Sequence, residues 1–173
     1  MTKYIIRDIT AVLRFLPYGL IVGIIVAIVL SIINDRRVKK GKKPVSVVAI
    51  TAFIMYAVVL LFITFWSRQD GSSVGINLEL FSTWGINLRN NAYVIENILL
   101  FVPYGFLCAW VFKPARNVLL CTVIGAVTSL GIEWLQLITG RGFFQTDDAV
   151  TNTIGALIGC LVFRILMLLP RRK

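Results

Sequence analysis

Five apolar runs, at residues 15–33, 45–66, 95–112, 118–138 and 151–169, constrain this chain more than any other feature. Each is close to the ~20 residues that a helix rising ~1.5 Å per residue needs to cross a ~30 Å hydrocarbon core. Hydrocarbon offers an open backbone no hydrogen bonds, so such a run must close its own as a helix. The prediction is an all-α bundle of about five transmembrane helices, a single integral domain over residues 1–173, multi-pass in the cell membrane. A mean hydropathy of +0.85 and a charged fraction of only 15% agree with it. The first run resembles a secretory signal, yet it is too long and leads into Asn34-Asp35-Arg36-Arg37, not a small-residue cleavage site. It reads as a retained anchor.

Basic residues then set the direction, because short cytoplasmic loops collect Lys and Arg. Arg36, Arg37, Lys39, Lys40, Lys42 and Lys43 fall between the first two runs, which places that link inside. Alternation puts the N-terminus outside and the C-terminus inside. Lys113, Arg116 and Arg171-Arg172-Lys173 are then inside, while Lys3, Arg7, Arg14, Arg68, Arg89 and Arg141 are outside. The balance of 18 Lys+Arg against 8 Asp+Glu, a net +10, is read as topology and contact with membrane lipids. No folded nucleic-acid module fits between the runs, so no nucleic-acid partner is expected. Arg164, inside the last run, is expected to snorkel to the inner headgroups.

Every acidic residue except Asp35 falls on the outer side in this topology. Glu96-Asn97 open the third run, Glu133 and Gln136 close the fourth, Asp147-Asp148 precede the fifth, and Asn152 lies in its first turns. Thr122, Gly125, Ser129, Glu133 and Gln136 recur at steps of 3, 4, 4 and 3, and Asp148, Asn152, Gly155 and Gly159 at 4, 3 and 4. Each set therefore shares one helix face. Small residues on such faces let backbones approach, and polar ones bond across the contact. The fourth and fifth helices are predicted to pack together, with Asn97, Phe101, Tyr104 and Cys108 giving the third a matching face.

An ionisable residue inside a span is costly and normally faces a cavity or a partner. Arg68, Asn97, Glu133, Gln136, Arg141, Asp148 and Asn152 are therefore the candidate ligand-binding set at one outer site. The plainer alternative is a network that caps helix ends and stitches the bundle, with Asp148 capping the fifth helix.

Arg14-Phe15-Leu16-Pro17-Tyr18-Gly19 echoes Leu100-Phe101-Val102-Pro103-Tyr104-Gly105. The echo raises a parallel repeat of spans one and two in spans three and four. Each proline would loosen the first turns of a span, and the freed carbonyls would need partners in the bundle. Residues 67–94 form the one sizeable link. Ile76, Leu78, Leu80, Phe81, Trp84, Ile86 and Leu88 are mixed there with glycine and serine, as in a loop that lies in the interface or partly re-enters above the bundle.

The chain has no histidine, which removes Ser-His-Asp and Cys-His catalysis, histidine zinc sites and the usual pH switch. Cys108, Cys121 and Cys160 lie at apolar depth without metal spacing and read as packing residues. Glu133, Asp147 and Asp148 are carboxylates without ligand spacing, so no metal and no cofactor is expected. Phosphate loops, dinucleotide fingerprints and nucleophile elbows are absent.

Asn97-Ile98-Leu99-Leu100-Phe101-Val102-Pro103-Tyr104-Gly105, Glu133-x-x-Gln136, Arg141 and Asp148-x-x-x-Asn152-x-x-Gly155-x-x-x-Gly159 together resemble the VanZ-like family. The resemblance covers about residues 67–163. Asn77-Leu78 fits that family's Asn-Leu before span three, but Glu79-Leu80 follows where a proline is expected. The family is named for a teicoplanin-resistance membrane protein, so the resemblance implies a part in glycopeptide antibiotic resistance at the cell envelope. It implies no reaction and assigns no catalytic role.

Two classes of function fit these residues. The first is a binding protein that holds a lipid-linked cell-wall precursor or a lipidated molecule such as a lipoglycopeptide at the outer leaflet. Arg68 and Arg141 would suit its phosphate or carboxylate, since guanidinium donates in a planar fork. The second is an intramembrane enzyme acting on a phospholipid or cell-wall precursor. Glu133 and Asp148 would be its catalytic acid and base, and Arg141 and Asn152 would stabilise developing charge. A transporter is a third reading and would call for an oligomer.

Overall fold

The structure is a computed structural model and describes residues 1–66 and 73–168. Helix α1 (Thr2–Val12) passes through one tight turn at Leu13–Phe15 into α2 (Leu16–Lys39), forming a single long apolar rod. Pro17 falls in the first turn of α2, where a missing N–H costs nothing. Helix α3 (Val47–Leu61) starts at Ser46, whose hydroxyl accepts the Ala49 N–H, and ends in a π-helical turn at Phe62–Trp66. Helices α4 (Leu88–Val111) and α5 (Val118–Ile138) are capped by Asn87 and Asn117, each accepting backbone N–H groups of the first turn. Helix α6 (Thr146–Leu168) carries Asp147 and Asp148 in its first turn, where the helix dipole favours negative charge. Five helical segments are long and apolar enough to cross a membrane, as the apolar runs predict. The first begins well before residue 15, because Thr2–Val12 is itself helical.

Glycines set the tightest contact, which lies between α4 and α6. A Cβ on Gly159 would stand 2.0 Å from the Val102 carbonyl oxygen, one on Gly105 2.0 Å from that of Ala156, and one on Gly155 2.2 Å from that of Ile98. Helix α5 does pack on α6, with Gly125 facing Ala156. The Gly155/Gly159 pair, however, faces the third span and not the fourth. Steps of three and four place residues on a stripe but do not say which neighbour meets it. Phe101, Tyr104, Ile132 and Ala156 fill the middle of the bundle, and Cys108, Cys121, Cys160 and Phe163 pack its other half as free buried residues.

The basic link between α2 and α3 is closed by Asn34, whose side chain both donates to the Val45 carbonyl and accepts its N–H, each at 2.9 Å. At the opposite end lies a feature absent from the sequence reading. Strand β1 (Ser73–Asn77) pairs in parallel with β2 (Arg141–Gln145), in register from Ser73–Arg141 to Asn77–Gln145. The pairing gives both linkers partners for their backbone groups where helix has ended.

The turn after β1 is held from α6. Asp147 accepts N–H bonds from Phe81 (2.6 Å) and Thr83 (2.8 Å), and Phe81 sits at φ +62°, a left-handed conformation rare for a bulky residue. Asn77 accepts from the Glu79 N–H at 3.0 Å, an Asx turn that does the work of the missing proline. The apolar side chains of this segment, from Leu78 to Trp84, stay exposed.

Candidate functional site

The end of α3 is where side chains from the C-terminal helices first reach across the bundle. A helix leaves its last carbonyls without intrahelical donors. Thr64 O accepts from Gln136 Nε2 at 3.1 Å, and Phe65 O accepts from the Arg141 guanidinium at 3.4 Å. Arg141 also lies over the Trp66 ring, 6.0 Å from its centroid. About two turns deeper, the Tyr56 hydroxyl donates to the Leu100 carbonyl, next to the Leu99 carbonyl whose helical donor Pro103 lacks.

Beside these long-range bonds, a cavity of about 620 Å³ lies between α3, α4, α5 and α6. Asp8, Val12 and Phe15 close it from the first rod, and Tyr56, Ile63 and Thr64 from α3. Helix α4 contributes Tyr93, Glu96, Asn97, Leu99, Leu100 and Pro103. Ile132, Glu133 and Gln136 come from α5, Asp148 and Asn152 from α6. Polar groups thus face a wall of aliphatic and aromatic side chains. Leu99, one of the lining residues, is 48% exposed.

Of the residues singled out from sequence, the structure brings Asn97, Glu133, Gln136, Asp148 and Asn152 into this one cavity. Glu133 is buried and accepts the Gln145 N–H at 3.0 Å, tying α5 to the end of β2. Asn152 donates to Ser129 Oγ at 2.8 Å, joining α6 to α5 as its stripe predicts. Arg141 is not among the described lining residues; its guanidinium is turned toward the end of α3. Arg68 lies outside the described residues. Asp147 is spent on the turn at 81–83, while its neighbour Asp148 faces the cavity. Consecutive helical residues point about 100° apart, so the two cannot serve one site.

Sequence reasoning did not place Asp8, Tyr56, Thr64 or Tyr93 at the site, and grouped Glu96 with the outer polar residues without including it in the candidate ligand-binding set. A partial signal was present for Tyr56 and Thr64, two of the four hydroxyls, with Ser46 and Thr51, in an otherwise apolar run. None was present for Asp8, which precedes the first apolar run and pairs with its neighbour Arg7 at 2.7 Å.

Residues 53–167 match the sequence profile described as VanZ/LLP1, a stretch from α3 through α6 that holds every cavity residue except Asp8, Val12 and Phe15. The protein VanZ of Enterococcus faecium is 31% identical over 88 residues, 51% of this chain and 52% of that protein. The chain therefore spans about half the length of the curated relative it matches. No solved structure matches. The profile match covers well over half of the chain, and on that ground the chain belongs to the VanZ/LLP1 family.

Proposed function

We propose that this protein binds a lipid-linked or lipidated molecule in the cavity between α3, α4, α5 and α6, and thereby contributes to tolerance of teicoplanin-type glycopeptides. The observation that carries the reading is a pocket in which polar groups are set in an apolar wall. Its size falls in the ~300–1,000 Å³ range of ligand sites. Family membership supports the resistance role, since the antibiotic target is a membrane-anchored precursor outside the cytoplasmic membrane.

In this reading the chain sits in the cell membrane with the cavity toward the outside. The six-cation link at 36–43 marks the opposite end as cytoplasmic.

The test is expression in a glycopeptide-susceptible host. The chain raises teicoplanin tolerance, and Ile132→Trp, which fills the cavity, returns it to baseline at equal protein level. Full tolerance from the filled variant overturns the proposal.

A second reading, acid–base catalysis, rests on Glu133 and Asp148 sharing the cavity. It has less support because the Glu133 carboxylate already accepts the Gln145 N–H. Glu133→Gln keeps an acceptor for that N–H and removes the proton chemistry. Tolerance retained in this variant, which binding predicts, excludes Glu133 as acid or base; tolerance lost at equal protein level favours catalysis.

A further inference from the structure

The unmet chemistry at the cavity wall is all of one kind. Gln136 and Asn152 are only 2% and 5% exposed, and both line the cavity. Their amide nitrogens are engaged, Gln136 Nε2 by the Thr64 carbonyl and Asn152 Nδ2 by Ser129 Oγ. A carbonyl can only accept, so Gln136 is fixed with its nitrogen toward Thr64. Gln136 Oε1 and Asn152 Oδ1 are then left buried without a donor. Glu96 Oε1, on a third helix and on the same cavity, is in the same position. Native structures leave few such groups, and each one calls for a partner.

Acceptors without donors want a ligand that donates. Charge points the same way. Among the described lining residues there is no lysine or arginine, and Glu96 is a carboxylate with an oxygen left without a donor, whereas Asp8 is already paired with Arg7 at 2.7 Å. Arg141, which the sequence offered for an anion, spends donors on Phe65 O and lies against Trp66. An ammonium donates three hydrogen bonds and accepts none, while a phosphate or carboxylate only accepts. Phe15, Ile63, Leu99, Leu100 and Ile132 supply an apolar surface beside these acceptors.

We propose that the cavity selects a primary ammonium head group carried on an aliphatic chain. The proposal rests on the reading that the cavity holds an amphiphile, and it names that amphiphile's head group. Binding moves the unpaired acceptors of α4, α5 and α6 onto one cation and couples the three helices through it. A bilayer aminophospholipid and an acylated peptide amine both carry this chemistry.

The experiment uses the full chain in phosphatidylcholine nanodiscs, which contain no primary amine, with radiolabelled dodecylamine as the probe and empty discs as the blank. Unlabelled dodecylamine, dodecyltrimethylammonium, dodecanol and dodecyl phosphate compete. Dodecylamine is expected to compete at concentrations ~10-fold or more below the other three, in line with charge-assisted hydrogen bonds lost in each of them. Glu96→Gln and Asn152→Leu are each expected to weaken the amine ~10-fold and leave dodecanol unchanged.

Displacement by short-chain phosphatidylethanolamine points to a bilayer lipid as the source; displacement by an acylated peptide amine alone points to the other. Equal competition by all four head groups, or preference for dodecyl phosphate, overturns the ammonium proposal while leaving amphiphile binding in place. If nothing displaces the probe, and Ile132→Trp leaves retention unchanged, the cavity reading itself fails.

Discussion

Phe-x-Pro-Tyr-Gly occurs at the start of α2 and again in the middle of α4, and the two copies do different work. Tyr18 is 50% exposed and stacks on Phe62 with ring centroids 4.8 Å apart, whereas Tyr104 is 6% exposed and its hydroxyl bonds Thr128 Oγ1 at 2.7 Å. Gly19 lies against the Val59 side chain of α3; Gly105 lies against the Ala156 backbone of α6. Pro17 opens a helix, while Pro103 lies inside one and lacks the helical donor for the Leu99 carbonyl, next to the Leu100 carbonyl taken by Tyr56. The same four residues therefore make a peripheral helix start in one place and part of the cavity wall in the other. Placement relative to α6, which only the second copy touches, decides the difference.

Gly105→Ala is the largest expected break in that comparison. The added methyl meets backbone that cannot rotate away, so a loss on the order of 3 kcal/mol is expected in a denaturant titration of the detergent-solubilised protein. Next is Tyr104→Phe, which strips the Thr128 bond and costs ~1 kcal/mol by the same titration. Gly19→Ala is expected to cost ~1 kcal/mol or less, well under Gly105→Ala, because its nearest obstacle is the Val59 side chain at 2.7 Å, the Met55 carbonyl oxygen stands 3.1 Å away, and alanine recovers ~1 kcal/mol of helix propensity. Smallest is Tyr18→Phe, within ~0.5 kcal/mol, since stacking on Phe62 survives. Equal losses at Gly19 and Gly105 would mean that the two copies are packed alike and that a repeat organises the bundle.

How far the fold was legible follows the same division. Hydrophobic length revealed the five spans because a bilayer-crossing helix needs little else. Helical steps of three and four put Asn152 against the fourth span, where Ser129 meets it, but assigned Gly155 and Gly159 to the wrong neighbour. The β1–β2 pair escaped notice because Ser73–Asn77 and Arg141–Gln145 are far apart in the chain, and their parallel pairing leaves no local turn signal. Five of the seven candidate residues reached the cavity because buried polar groups at one depth share few places to go. Asp8 joined them through the long rod, whose early start the apolar run does not mark.

The central claim is that the cavity holds an amphiphile. A photo-reactive residue at Leu100, on the cavity wall, and another at Leu119, exposed on α5 outside it, test this in the intact membrane. The account predicts a discrete adduct at position 100 that added dodecylamine suppresses as a competitor and that disappears in the Ile132→Trp background, against a diffuse, uncompeted lipid signal at position 119. The same diffuse signal at both positions would contradict it.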